Sequence, residues 1–117
     1  MQWKIEFGDD FDKEFAELRE DIQDELLAHS QLMSQFGPTL GRPQVDTLKG
    51  SQFSNMKELR FYVCDGEWRV AFAFDPQRTG ILLVAGCKNG VNKKRFYDQL
   101  LDKADSRYAG HLKRIRM

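Results

Sequence analysis

Long apolar runs are missing from this sequence. No stretch approaches the roughly 18–20 apolar residues that a membrane-crossing helix needs. The opening Met1-Gln2-Trp3-Lys4 lacks the apolar segment of a secretory leader. Cysteine is scarce: Cys64 and Cys87 form neither a zinc spacing nor a disulfide framework, so a reducing, cytoplasmic compartment is expected. Walker loops, HExxH, GxSxG and dinucleotide-binding fingerprints are also absent. The two histidines mark no site by themselves. His29 falls in an acidic helical stretch, and His111 suits a helix C-terminus. No metal, cofactor or membrane is expected as a partner.

What is present suffices for one domain, residues 1–117, with one core. The chain is 41% hydrophobic and 31% charged, ordinary for a folded protein and wrong for a disordered one. Its formal net charge is zero, but the charges are divided. Residues 1–41 hold three basic and ten acidic side chains, a net of −7; residues 42–117 hold fifteen basic and eight acidic, a net of +7. Either the two parts neutralise each other inside the fold, or the second presents a local basic field to a polyanion.

Alternation of Trp3, Ile5 and Phe7 predicts a short strand. Asp9 and Asp10 suit a helix start. Phe11, Phe15, Leu18, Ile22, Leu26 and Leu27 then recur at spacings of three and four. This reads as an amphipathic helix, or helical hairpin, bending and continuing to about Phe36, where Gly37-Pro38 ends it. No period is clear from Val45 to Ser54. Three meandering strands follow, over residues 56–64, 68–74 and 81–85, the first pair joined by a hairpin at Asp65-Gly66. A last helix starts near Asn92 and frays around Gly110. The fold class is α+β, an antiparallel-rich sheet with helices covering one face.

Strand alternation sends Leu59, Phe61 and Val63 to one face and Glu58, Arg60 and Tyr62 to the other. On the next strand Arg69, Ala71 and Ala73 oppose Trp68, Val70, Phe72 and Phe74. Glu58, Arg60 and Arg69 then share a surface beside two alanines that leave space above it, as a binding groove needs. A plain solvated sheet with a Glu–Arg cross-strand pair fits the same pattern. A second basic cluster, Lys88 with Lys93-Lys94-Arg95, stands at the mouth of the last helix. Three cations there oppose the helix dipole, whereas the free amides favour an anion. Phe96 and Tyr97 follow closely, and an aromatic beside such a cluster can stack a nucleobase.

Several segments occur in a characteristic order: Asp46-Thr47-Leu48-Lys49-Gly50, Asn55-Met56-Lys57-Glu58-Leu59-Arg60-Phe61, Trp68-Arg69-Val70-Ala71-Phe72-Ala73-Phe74 and Ile81-Leu82-Leu83-Val84. Lys88, Lys94-Arg95-Phe96-Tyr97 and Ala104-Asp105-Ser106-Arg107-Tyr108, ending in His111-Leu112, complete the set. Together they resemble the RelE/ParE superfamily of toxins, in its HigB-type, phage Gp49-like branch. The resemblance covers nearly the whole chain.

It implies a RelE-like fold and a toxin of a type II toxin–antitoxin system, paired with a helix-turn-helix antitoxin. RelE- and HigB-like members enter the ribosomal A site and cleave messenger RNA, without a metal, by attack of a ribose 2′-OH on its neighbouring phosphate. Two alternatives stay open: a ParE-like inhibitor of DNA gyrase without nuclease activity, and a non-catalytic antitoxin-binding module. For the nuclease, the resemblance implies Arg69 as the phosphate clamp and Arg60 as a supporting contact. It leaves Glu58 as base or as the group that orients Arg60. Lys88 and Lys94 would bind phosphate or stabilise the leaving oxygen, and Tyr97 would stack or move a proton. Lys49, Lys57, Lys93 and Arg95 are candidate RNA-backbone contacts. The chain departs from the branch's pattern at Cys87, where relatives tend to carry an acidic residue, and has no histidine at the RelE-type position.

Overall fold

The computed structural model describes residues 2–116. Strand β1 (Lys4–Phe7) leads into helices α1 (Asp9–Ala16) and α2 (Glu20–Phe36), and a 3-10 turn over Gly37–Thr39 closes this half. Strands β2 (Val45–Thr47), β3 (Lys57–Val63), β4 (Gly66–Phe74) and β5 (Thr79–Cys87) follow, then helix α3 (Lys93–Ile115). The sheet order is β1-β5-β4-β3-β2. β1 runs parallel to β5, and the other neighbours are antiparallel. This is the α+β architecture expected, with a mixed, antiparallel-rich sheet.

The expected bend in the first helix is a true break. Glu17 N–H turns back to the Glu14 carbonyl at 3.2 Å and Leu18 N–H to that of Phe15 at 3.1 Å, and the Gln23 side chain of α2 also donates to the Phe15 carbonyl at 2.8 Å. That bond adds a second donor to a carbonyl in the last turn of α1 and ties α2 to it. Gly37 stops α2 at φ +59, and a Cβ there would fall onto the Trp3 indole. Only glycine fits both the left-handed backbone and the close approach.

The sheet is covered on both faces, which corrects the expectation of helices on one. Phe11, Ile22, Leu26 and Met33 of α1 and α2 pack against Leu59, Phe61, Val70, Phe72 and Leu82. On the other face Phe96, Leu100, Ala104 and Tyr108 of α3 pack against Ala71, Ala73, Ile81 and Leu83. The small side chains of Ala71 and Ala73 are therefore the seat of α3, not cleared space: both are 0% exposed. An unbroken apolar run such as Val70 to Phe74 marks a strand buried on both sides.

The aperiodic stretch after the loop holds β2 and a turn fixed from afar. Asp105 of α3 accepts from Ser51 Oγ at 2.5 Å and from Gln52 N–H at 3.0 Å. The β3–β4 hairpin also turns one residue earlier than the Asp65-Gly66 signal suggests. Cys64 takes the left-handed conformation at φ 53, while Gly66 already pairs with Val63. Helix α3 does not fray at Gly110 but runs on to Ile115. Its last turns are tied down by His111 Nε2 on Asp75 Oδ2 at 2.8 Å and by Arg107 on Glu14.

Candidate active site

The β3–β4 register sets Arg60 directly opposite Arg69, and the β2–β3 register sets Asp46 opposite Glu58. Two like-charged pairs face each other across strands, an arrangement that needs neutralising partners. The partners are one another. Glu58 Oε1 accepts from Arg60 Nε at 3.1 Å and from the Tyr97 hydroxyl at 2.9 Å, and lies 3.3 Å from Arg69 Nε. Arg69 Nε also donates to the Tyr97 oxygen at 3.3 Å, and its Nη1 donates to the Trp68 carbonyl at 3.0 Å. Arg60 Nη2 reaches Asp46 Oδ2 at 3.4 Å, where Arg42 joins at 3.3 Å. Tyr97 arrives from the first turns of α3, so helix and sheet must dock before this cluster closes.

Burial is uneven across it. Glu58 and Arg69 are 4% and 5% exposed, whereas 34% of the Arg60 side chain is open. Burial, partly offset by the Arg69 hydrogen bond and reinforced by Glu58, holds the Tyr97 phenol above its ordinary pKa, so it remains a proton donor. Burial pulls Arg60 down, but the bond to Glu58 and the charges of Glu58 and Asp46 outweigh it and raise Arg60. The Thr47 N–H foremost, then the Arg42 and Arg60 charges, hold Asp46 below its usual range against a smaller effect of burial.

Three atoms of the cluster make no hydrogen bond among the described residues: Glu58 Oε2, Arg60 Nη1 and Arg69 Nη2. Among the described residues no fully buried side-chain nitrogen or oxygen lacks a partner, so each of the three keeps some solvent contact. That contact is ample at Arg60 and narrow at Glu58 and Arg69, whose side chains are 5% and 6% exposed. A carboxylate oxygen and two guanidinium nitrogens thus stay without a protein hydrogen bond in one locked group. Such a set can take a proton and bind a phosphate.

The other sequence candidates divide. Lys88 Nζ lies 5.8 Å from the Tyr97 ring centre and 3.9 Å from Glu67, beside the cluster. Lys93 and Lys94 precede Tyr97 by four and three residues, one helical turn away on its side of α3. Lys94 is held by Asp98 at 2.8 Å. Lys49 lies close enough to Asp46 to act on its charge. Lys57 points to the opposite face, where Nζ reaches the Pro38 carbonyl at 3.4 Å, and is not brought to the cluster. Arg95, two residues before Tyr97, turns to another side of α3. The sequence reading passed over Asp46, although its place in the first quoted segment marked it. It also assigned nothing to Tyr62, which alternation already put on the face of Arg60. Among the described residues no group of three or more His, Cys, Asp or Glu converges as metal ligands, and no helix is long and apolar enough to cross a membrane.

A locked Glu–Arg–Arg–Tyr group at the junction of a five-stranded sheet and a C-terminal helix sits on a RelE-like fold. The solved structure of a mutant of the E. coli toxin RelE in the free state aligns with 88% of this chain and 97% of that one. Its TM-score is 0.59 and its identity 12%. Residues 13–109 match the family described as "Phage derived protein Gp49-like (DUF891)". The chain belongs to that family, and its HigB-type relatives agree with the branch that its motifs had implied. Two relatives come from Mycobacterium tuberculosis (strain ATCC 25618 / H37Rv). "Putative toxin HigB3" is 45% identical over 93 residues, 80% of this chain and 79% of the relative. "Putative toxin HigB2" is 43% identical over 88 residues, 74% of this chain but 43% of that longer relative.

Proposed function

We propose that this protein is the toxin of a type II toxin–antitoxin pair, held in check by a helix-turn-helix antitoxin, and that it cleaves messenger RNA in the ribosomal A site. The observation that carries the reading is the triad of atoms left without a protein hydrogen bond, Glu58 Oε2, Arg60 Nη1 and Arg69 Nη2, in a group whose other polar atoms hold one another and their strand neighbours. An in-line attack of a ribose 2′-oxygen on the next phosphorus needs a base, an acid and cations on the phosphoryl oxygens. Glu58 Oε2 takes the 2′-OH proton. Arg60 Nη1 and Arg69 Nη2 hold the phosphoryl oxygens as charge builds on them. The 5′-oxygen leaves with a proton from Tyr97, which burial keeps protonated, or from Lys88 beside its ring. Lys93 and Lys94 extend the cationic track for the RNA backbone.

Arg60 is the more telling residue to remove, because a third of its side chain is open whereas Arg69 is packed beneath it. Wild type, Arg60→Ala and Arg69→Ala proteins are supplied to translating ribosomes and new RNA ends are mapped. The reading expects ends from the wild type and their loss in both variants, with Arg60→Ala still folded by circular dichroism. Growth arrest with gyrase-linked DNA breaks and no new RNA ends would overturn it.

A further inference from the structure

The register of β2 with β3 ends at Leu59. Beyond it the outer edge of β3 is held by one bond, Arg60 N–H to the Gln44 carbonyl at 2.8 Å. Tyr62 follows Arg60 by two residues and so stands on the same face, with 65% of its surface exposed. A hollow of about 430 Å³, lined by Glu25, His29, Gln44, Arg60, Tyr62 and Arg69, wraps this free edge. Its volume lies within the range of small-ligand sites. It is continuous with the proposed phosphate site, since both arginines line it. An exposed ring beside two guanidiniums is the arrangement by which single-stranded nucleic acid is gripped, base on the ring and phosphate on the cations.

The far wall of the hollow offers acceptors. His29 Nδ1 lies 2.9 Å from the Glu25 carbonyl, which can only accept, so Nδ1 carries hydrogen and the neutral ring offers Nε2 as an acceptor. The ring is braced against Phe61, with centres 5.4 Å apart and planes at 27°. The Glu25 carboxylate, 3.7 Å from Nδ1, is a second acceptor.

We propose that this hollow seats the nucleobase flanking the scissile phosphate, stacked on Tyr62 and read at its edge by His29 and Glu25. Two acceptors select a base that carries an exocyclic amine, and disfavour uracil. The assignment rests on the nuclease reading above.

The test compares cleavage-site profiles on translating ribosomes for wild type, Tyr62→Ala, Tyr62→Phe and Glu25→Gln, with melting temperatures as the fold control. Tyr62→Ala is expected to slow cleavage about ten-fold at all sites, the scale of one lost base–aromatic stack, and Tyr62→Phe to restore it to within about two-fold. Glu25→Gln exchanges an acceptor for a donor and is expected to raise cleavage at uracil relative to the amino-bearing bases about five-fold, a ratio that a merely structural role would not move. Wild-type cleavage that Tyr62→Ala leaves intact, or a base ratio untouched by Glu25→Gln, overturns the subsite and spares the nuclease reading. No cleavage by the wild type overturns both.

Discussion

At Arg107 each of the three guanidinium nitrogens faces a protein oxygen. Its Nη1 and Nη2 fork onto the two oxygens of Glu14 at 2.8 and 2.7 Å, Nη1 also donates to the Leu83 carbonyl at 2.7 Å, and Nε faces Asp10 at 3.6 Å. Arg60 and Arg69 engage Glu58 differently. Each presents Nε alone to the same carboxylate oxygen, neither makes a fork, and each keeps one Nη nitrogen unspent. The same pair of residue types thus builds a closed clasp between α1 and α3 and an open group between β3, β4 and α3. A bidentate pair with its donors filled is a tie. A group whose donors are crowded onto one oxygen keeps capacity for something that is not protein. The clasp also explains part of the divided charge. Glu14, Asp10 and Asp9 of acidic α1 meet Arg107 and Arg114 of α3, so the two parts do partly neutralise each other, away from the Glu58 group.

Removing an arginine from each cluster should break the comparison most sharply. Arg60→Ala is expected to lower messenger cleavage by about 100-fold or more, the scale of one lost electrostatic contact to a transition state. Because Arg60 is partly exposed, its loss should cost no more than about 1 kcal/mol of stability, read by urea unfolding. Arg107→Ala should do the reverse, costing about 2 kcal/mol because the Leu83 carbonyl also loses its donor, with cleavage at 25 °C retained. If both variants lost stability alike and activity alike, the distinction between clasp and site would fail. Tyr97→Phe probes the open group more gently. It removes one donor from Glu58 and the acceptor of Arg69, and a fall in cleavage of about ten-fold is expected if the hydroxyl moves a proton.

Much of the open group is legible in the sequence, and the reason is periodicity. Alternation over residues 57–63 and 68–74 suffices to put Glu58, Arg60 and Arg69 on one face, because a strand's side chains have only two directions to choose from. The same alternation is silent about what lies above that face. Ala71 and Ala73 look like cleared space in one dimension and are the seat of a helix in three, since α3 comes from 20 residues further along the chain. Tyr97 is a candidate by its company of lysines, but its bond to Glu58 depends on how α3 crosses the sheet. β2 has only three residues, too few for a period to show, so Asp46 gives no local sign of holding Arg60. The Arg107–Glu14 clasp is invisible beforehand for the same reason: 93 positions separate its partners.

The smallest expected effect is a pH dependence that the clasp should show. The Arg107 hydrogen bond, ahead of a weaker opposing effect of burial, holds the Glu14 carboxyl below its ordinary value of 4.5. A carboxyl whose folded-state pKa is depressed contributes stability that is fully present above the unfolded value and lost as pH falls through the folded one. The wild type should therefore lose part of its stability as the pH drops below about 4.5, with the proton entering Glu14 and loosening the fork. Glu14 is half-exposed, with 44% of its side chain in solvent, and screening should keep this contribution under about 1 kcal/mol, or roughly 3 °C in melting temperature. Glu14→Gln cannot take up that proton: its melting temperature should start slightly below wild type at pH 7 and fall less steeply between pH 5 and 3. Parallel melting curves across that window would show that the fork carries no linked proton, and would leave the clasp resting on the Leu83 carbonyl and on packing alone.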